Sequence, residues 1–272
     1  MTPHPQYDNL LLFDLFEKEE NIVHFTTTRE GGVSHGAFSS FNMGNFSDDN
    51  PLYIRENREI LARMFYMDIS RFIVPHQTHG ANVLTIDREF LALDSATAIE
   101  TLYGVDATIS AEKGIFLCVT TADCVPIILY DSQKEVISAI HAGWRGTVGR
   151  IVEKTIDRMK QQFGSSPIDI TAGIGPAIDM SHYEVGEDVT RRFQEEGFDL
   201  SDTTLFLKKM ASSKFYLDLK EINKRELMRL GIPESHIEKS AFCTFEKEDL
   251  FFSARRQTVH SGRMLTGIMM NR

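Results

Sequence analysis

Three short apolar runs, Ile115–Val119, Val125–Tyr130 and Val136–Ile140, follow one another with only brief polar interruptions. The first is too short for a buried helix and ends in a β-branched residue, as a strand covered on both faces would. The segment Asp131-Ser132-Gln133-Lys134-Glu135 has a common length for a hairpin loop joining the last two runs. A helix follows. Val148, Ile151, Val152, Thr155, Ile156, Met159 and Phe163 recur on one face, Thr147 is placed to cap the start, and Gly164 supplies a left-handed stop. Ile22–Thr28 and Ile168–Ile174 read as further strands, and Leu250–Ser253 as a short strand leading into a basic turn. Proline suits the first helical position, so a helix is expected from Pro51 with Asn50 as its cap. Another opens at Asp218, with Glu221 completing a capping box, and ends at Gly231. Strands and helices mix without strict βαβ alternation, so we expect an α+β fold with mixed sheets instead of a doubly wound one.

A chain of 272 residues is compatible with one large domain or two. No repeat, charge run or low-complexity stretch divides it, which favours a single domain over residues 1–272. The longest strictly apolar run, Val125–Tyr130, is far below the roughly 18 residues of a membrane span. Leu10–Phe13 stops at Asp14 and lacks a basic flank, so it does not read as an export signal. The formal net charge of −10 repels a phosphate backbone and argues against nucleic acid as a partner. Three cysteines make an odd number and fit free thiols in a reducing cytosol, hence a cytoplasmic protein. The oligomeric state is left open.

Three contexts carry chemistry. In Pro75-His76-Gln77-Thr78-His79-Gly80, an extended chain would turn His76 and His79 to opposite faces, so one site could use only one of them. In Thr120-Thr121-Ala122-Asp123-Cys124-Val125-Pro126, a strand runs into a small polar turn and a cysteine stands where the next strand begins. Strand ends aim side chains into shared clefts. The bland reading of Cys124 is a small apolar filler, and that reading also suits Cys118 in mid-strand. In His141-Ala142-Gly143-Trp144-Arg145-Gly146, two glycines permit close backbone approach, a helix start favours an anion, and Arg145 offers a fork for phosphate or carboxylate. The bland alternative there is a tight strand-to-helix connection with Trp144 as a lid over the core.

Read together, Gln77-Thr78-His79-Gly80, Ala122-Asp123-Cys124-Val125-Pro126 and His141–Gly146 resemble the signature of the YfiH-like laccase-domain family. Members were once called polyphenol oxidases and are now regarded as purine nucleoside phosphorylases with adenosine deaminase activity. Further blocks match in order: Phe25–Ser34, Phe41-Asn42-Met43-Gly44, Glu56-Asn57-Arg58, Tyr183-Glu184-Val185-Gly186, Phe252–Arg256 and Gly262-Arg263. The resemblance implies a CNF/YfiH-like layered sandwich and a zinc site formed by His79, Cys124 and His141, the same three being the catalytic residues. Three N/S ligands leave a fourth tetrahedral position open, the catalytic zinc pattern, and the metal holds the cysteine as thiolate. It also implies phosphorolysis of adenosine, inosine and methylthioadenosine to free base and ribose 1-phosphate, and deamination of adenosine. Purine nucleosides and phosphate are then the small-molecule partners. Arg29, Arg145 and Arg255 are candidates for the phosphate cradle and Asn42 for ribose or base.

Other chemistries use similar residues. A His₂Cys set also serves blue copper, which would make copper the cofactor of a polyphenol oxidase. The oxygen-reducing cluster of a multicopper oxidase needs paired His-x-His ligands, and the sequence contains none. Cys124 with His141 as base would instead make a cysteine hydrolase or amidase, for example one that edits a peptidoglycan precursor. A structural zinc in an interaction domain is the non-enzyme alternative. The chain departs from the family's pattern in three places. The segment between Gly175-Pro176 and Tyr183 lacks the cysteines usual there, Ala254 stands where an aromatic residue is common, and Phe41 replaces the common leucine.

Overall fold

The structure, a computed structural model, describes residues 1–45, 47–208, 214–258 and 260–271. Two six-stranded mixed sheets form its centre. The first runs in the order Thr2–Pro3, Leu10–Leu12, Ile22–Thr27, Met264–Met270, Phe116–Thr121, Phe72–Ile73. The second runs Ile237–Lys239, Ile170–Ile174, Val125–Asp131, Val136–Ala142, Ala107–Ser110, Val83–Thr85. A small antiparallel sheet of Glu184–Val185, Phe215–Leu217 and Phe206–Lys208 lies beside them.

Alternation along the strands explains the layering. In Val125–Asp131 every residue is buried, yet Val125, Ile127 and Leu129 enter one core cluster while Ile128 and Tyr130 enter another. The inner cluster joins Ile128, Tyr130, Ile137 and Ala139 of the second sheet to Leu117, Val119 and Ile268 of the first. The outer face of the second sheet is covered by the helices Ile151–Phe163 and Leu219–Arg229, through Ile156, Met159, Ile222 and Leu227. The outer face of the first sheet carries Phe25, Phe116 and Cys118 against Leu61 of the helix Pro51–Met64. The molecule is thus an α+β layered sandwich, with two sheets face to face between helices.

Several expected elements form where local physics placed them. The Asn50 side chain accepts from Leu52 N–H at the helix start, Asp218 caps its helix by accepting from Glu221 N–H, and Gly164 ends its helix at φ 68°. Others differ. The helix expected as one piece from Thr147 is two, Trp144–Val148 and Ile151–Phe163, because Arg150 takes a left-handed φ of 58° between them. Gly143 stands at the N-cap of the first, and Thr147 is buried, its hydroxyl accepting from Asn223 Nδ2 at 3.0 Å. Leu250–Ser253 is not a strand: Phe251 and Phe252 are both fully buried, and Ser253 caps a single helical turn, Ala254–Gln257.

The topology concentrates polar chemistry at one end of the sandwich. Phe72–Ile73 and Phe116–Thr121 run parallel in the first sheet, and both are followed by a crossover to the second. One crossover holds residues 74–82 and the other Ala122-Asp123-Cys124. Val136–Ala142 ends, and Met264–Met270 begins, at this same end, since His141 pairs with Pro126 and Met264 with Thr121.

Candidate metal centre

His79 arrives on the first crossover, Cys124 on the second and His141 at the end of its strand. Their ligand atoms all lie within 4.8 Å of one another. The two imidazoles meet nearly edge to face, with centroids 5.0 Å apart and planes at 74°. His141 is buried, Cys124 half-buried and His79 exposed, so the cluster opens on the His79 side.

One carboxylate organises both histidines. Asp106, fully buried, accepts from His141 Nδ1 at 2.8 Å. It also accepts from the main-chain N–H groups of Thr78, His79 and Gly80, at 3.2, 3.0 and 2.8 Å. With Nδ1 engaged by the carboxylate, Nε2 is the nitrogen of His141 left to bind a cation. This carboxylate–histidine arrangement orients metal ligands and raises their basicity. The backbone accommodates the cluster at Gly143, where a Cβ would lie 3.0 Å from Cys124 Sγ and 3.3 Å from His79 Cδ2. Two imidazoles and a thiol around a point, with one face open, are a donor set suited to a transition metal.

Electrostatics support the same use. Burial alone would raise the Cys124 thiol, but the charge and hydrogen bond of His141, aided by His79, hold it down at about 6. Burial would lower His141, but Cys124 and Asp106 push it up to about 9. Burial also opposes the charge of Asp106, and the bonds from His141, Gly80 and Thr78 prevail and keep its carboxyl below the usual range.

Two residues of the site hold a left-handed backbone without being glycine: His79 at φ 63° and Asp123 at φ 92°. Each such residue costs on the order of 1 kcal/mol or more unless its surroundings enforce it. At His79 the enforcement is the set of N–H bonds to Asp106. At Asp123 the carboxylate accepts from Thr244 Oγ1 at 2.6 Å, Ser253 Oγ at 3.0 Å and Arg255 N–H at 2.7 Å. Gln77 clamps the first crossover to the strand before the second: its Oε1 accepts from Thr120 N–H and its Nε2 donates to Thr120 O, both at 2.8 Å.

The cluster forms the floor of a cleft of about 390 Å³, whose walls include Ser47, Thr121, Tyr183, Arg255 and Arg263. The model of the family described as "multi-copper polyphenol oxidoreductase laccase" matches residues 23–271. The chain belongs to this family. A purine nucleoside phosphorylase of Bacteroides thetaiotaomicron is 41% identical over 97% of this chain and 97% of its own length. Adenosine deaminase RL5, from an unknown prokaryotic organism, is 37% identical over 94% of this chain and 96% of its own. Among solved structures, YfiH of Bacillus licheniformis superposes with a TM-score of 0.89 at 30% identity, covering 98% of both chains. YlmD of Geobacillus stearothermophilus gives 0.82 at 34% identity, covering 96% of this chain and 94% of that one. The layered sandwich is therefore the family's fold.

The arginine and asparagine candidates separate sharply on this frame. Arg255 lines the cleft, donates from Nη1 to Glu184 O at 2.8 Å and lies 5.4 Å from the Tyr183 ring centroid. Arg145 is exposed and stacks over Trp144 at 4.4 Å. It is not among the cleft's lining residues, though its charge reaches the Tyr183 phenol on the wall. The structure does not bring Arg29 to the cleft. Its Nε and Nη2 donate to Ser39 O, and its Nη1 donates to Glu248 O, so it braces two loops. Asn42 is fully buried: its Oδ1 accepts from Gly44 and Arg263 N–H, and its Nδ2 donates to Ser47 Oγ and Asp49 Oδ2. It acts through Gly44 and Arg263, which do line the cleft. Arg263, in the Gly262-Arg263 block, is a second arginine on the cleft wall, a position its motif alone does not reveal. Asp106 carries no local signal at all.

Proposed function

We propose that this chain, acting over residues 1–272 as one cytoplasmic catalytic unit, is a zinc-dependent purine nucleoside phosphorylase that also deaminates adenosine. The observation that carries the reading is the convergence of His79, Cys124 and His141 on one point at the floor of a cleft walled by two arginines. The names of the two relatives, a purine nucleoside phosphorylase and an adenosine deaminase, supply the substrate class. When bound, zinc supplies Lewis-acid polarisation of an oxygen and makes water acidic near neutral pH.

The chain's own residues do the rest. Asp106 fixes His141 and the His79 loop before substrate arrives, so no reorganisation is needed at the reacting centre. Arg255 and Arg263 hold phosphate against the ribose carbon, and Arg145 adds positive potential from outside. The half-buried Tyr183, with its phenol kept protonated by burial and by the nearby Cys124, offers an apolar ring beside these cations. Neither Arg29 nor Asn42 has a substrate role in this mechanism.

Metal-analysed, zinc-loaded protein should convert adenosine and phosphate to adenine and ribose 1-phosphate, with inosine as the deamination product. Arg255→Ala and Arg263→Ala should each raise the phosphate KM by about tenfold or more, the worth of one charge-assisted contact. Arg29→Ala should leave it unchanged. No turnover of adenosine or inosine by the loaded protein overturns the reading. One observation favours a second: the lowered thiol of Cys124 beside a raised His141 is the ion pair a cysteine hydrolase needs. Amide hydrolysis that survives complete metal removal and is abolished by alkylating Cys124 would establish it.

A further inference from the structure

A larger cavity, of about 960 Å³, lies on the other side of the first crossover. Residues 74–79 form the partition, with Val74 and His76 lining this cavity and Gln77 and His79 lining the metal cleft. Its walls are mainly apolar, with Ile54, Ile69 and Leu102 among them, and two large side chains at it stand well exposed, Ile99 at 69% and Tyr103 at 66%. A cavity this large and this apolar, with a few polar groups converging on it, has the form of a small-molecule site.

The polar group that defines the ligand is Arg58. Its Nε and Nη2 both donate to one acceptor, Met43 O, at 3.1 and 2.6 Å. Among the described residues, no hydrogen bond engages its Nη1 and no carboxylate lies within ion-pair distance. Burial pushes its pKa down to about 10, opposed only in small part by the Cys118 thiol. The other charged residues on the walls do not answer it: Arg55 is paired with Glu59 at 2.9 Å, and Glu100 is exposed. A partly desolvated guanidinium without an anion, at the wall of an apolar cavity, calls for an anionic head on an apolar body.

We propose that this cavity is a second ligand site, separate from the metal cleft, for an amphipathic carboxylate whose acid group meets Arg58 and whose hydrocarbon lies among Ile54, Ile69, Ile99 and Leu102. The site depends on no reading of the metal chemistry. It predicts selection by both halves of the ligand. An acid without a chain lacks the apolar contact, and a chain without an acid leaves the guanidinium unanswered.

Titration of the zinc-loaded protein with octanoate, octan-1-ol and acetate, followed by calorimetry, tests this directly. Octanoate should bind at least tenfold more tightly than octanol, and acetate should not bind measurably. Arg58→Met keeps an apolar stem and should erase the preference of octanoate over octanol. Because Arg58 also holds Met43 O, Ile99→Glu is the companion variant. Residue 99 is exposed, so the fold should persist, and an acid there should weaken octanoate at least tenfold while metal content stays the same. Equal binding of octanoate and octanol, or octanoate binding unaffected by Ile99→Glu, overturns the proposal. So does a concentration-dependent dimer, detected by light scattering, that Ile99→Glu dissolves, since a second copy would then be the occupant.

Discussion

Cys118 and Cys124 stand six positions apart in one stretch of chain, and the sandwich treats them in opposite ways. Cys118 sits in the middle of Phe116–Thr121, fully buried against Phe25 and Phe116, and burial drives its thiol far up. Cys124 sits just past the end of that strand, where His141 and His79 bring its thiol down to about 6. Two histidines repeat the contrast. His24, inside, accepts Phe13 N–H at Nε2 from 2.9 Å and is pushed by burial down to about 4. His141, at the end, is raised to about 9 despite burial, because Cys124 and Asp106 face it. The lesson is that residue type does not set chemistry here. The interior suppresses charge, and the end where strands change sheets assembles partners that stabilise it.

The contrast can be broken at four points. Cys124→Ala should reduce zinc affinity by roughly a thousandfold or more, since a complete zinc site is worth about 10–16 kcal/mol; competition with a chelating dye measures this. Retention of tight binding would show that Cys124 is not a ligand. His24 tests the interior. Its folded pKa lies below its unfolded one, so between pH 6.5 and about 4 the unfolded chain binds a proton that the folded chain excludes. Stability should therefore fall as pH falls through that window, by about 3 kcal/mol. His24→Gln can still accept from Phe13, and its denaturation midpoints should lack this component. Asp106→Asn should lower metal affinity by about 10–100-fold, since His141 loses its orienting carboxylate; cobalt substitution followed by absorption spectroscopy reads both affinity and geometry. The smallest effect belongs to Cys118→Ala, which should cost about 1–2 kcal/mol in urea unfolding and leave metal content untouched.

What was legible in the sequence was the local physics. The run from Val125 to Tyr130 contains its own strand, and Asn50-Pro51 and Asp218 contain their own helix starts, because capping and alternation act over a few residues. The break before Ile151 was hidden, since Val148, Ile151 and Val152 keep helical spacing across it while Arg150 turns left-handed. Resemblance, and not spacing, points to His79, Cys124 and His141 as one cluster, as they come from two crossovers and a strand end. Asp106 was missed for a related reason. Its role is defined by four donors on segments distant in sequence, and the short stretch Gly104-Val105-Asp106 gives no hint of them. Arg29 and Asn42 are candidates by motif position alone, and motif position does not show that loop carbonyls and main-chain amides engage their side chains in the fold.

The position of Met264–Met270 has a consequence for how the molecule is made. This strand comes long after both of its neighbours in sequence, pairing on one side with Ile22–Thr27 and on the other with Phe116–Thr121. In a nascent chain each of these strands can meet its other neighbour, Leu10–Leu12 or Phe72–Ile73, early, but the join between them must wait until Met264–Met270 has been synthesised. Two hydrophobic edges must wait for the same late arrival, so this protein should lean on chaperones during translation more than a sandwich closed by hairpins would.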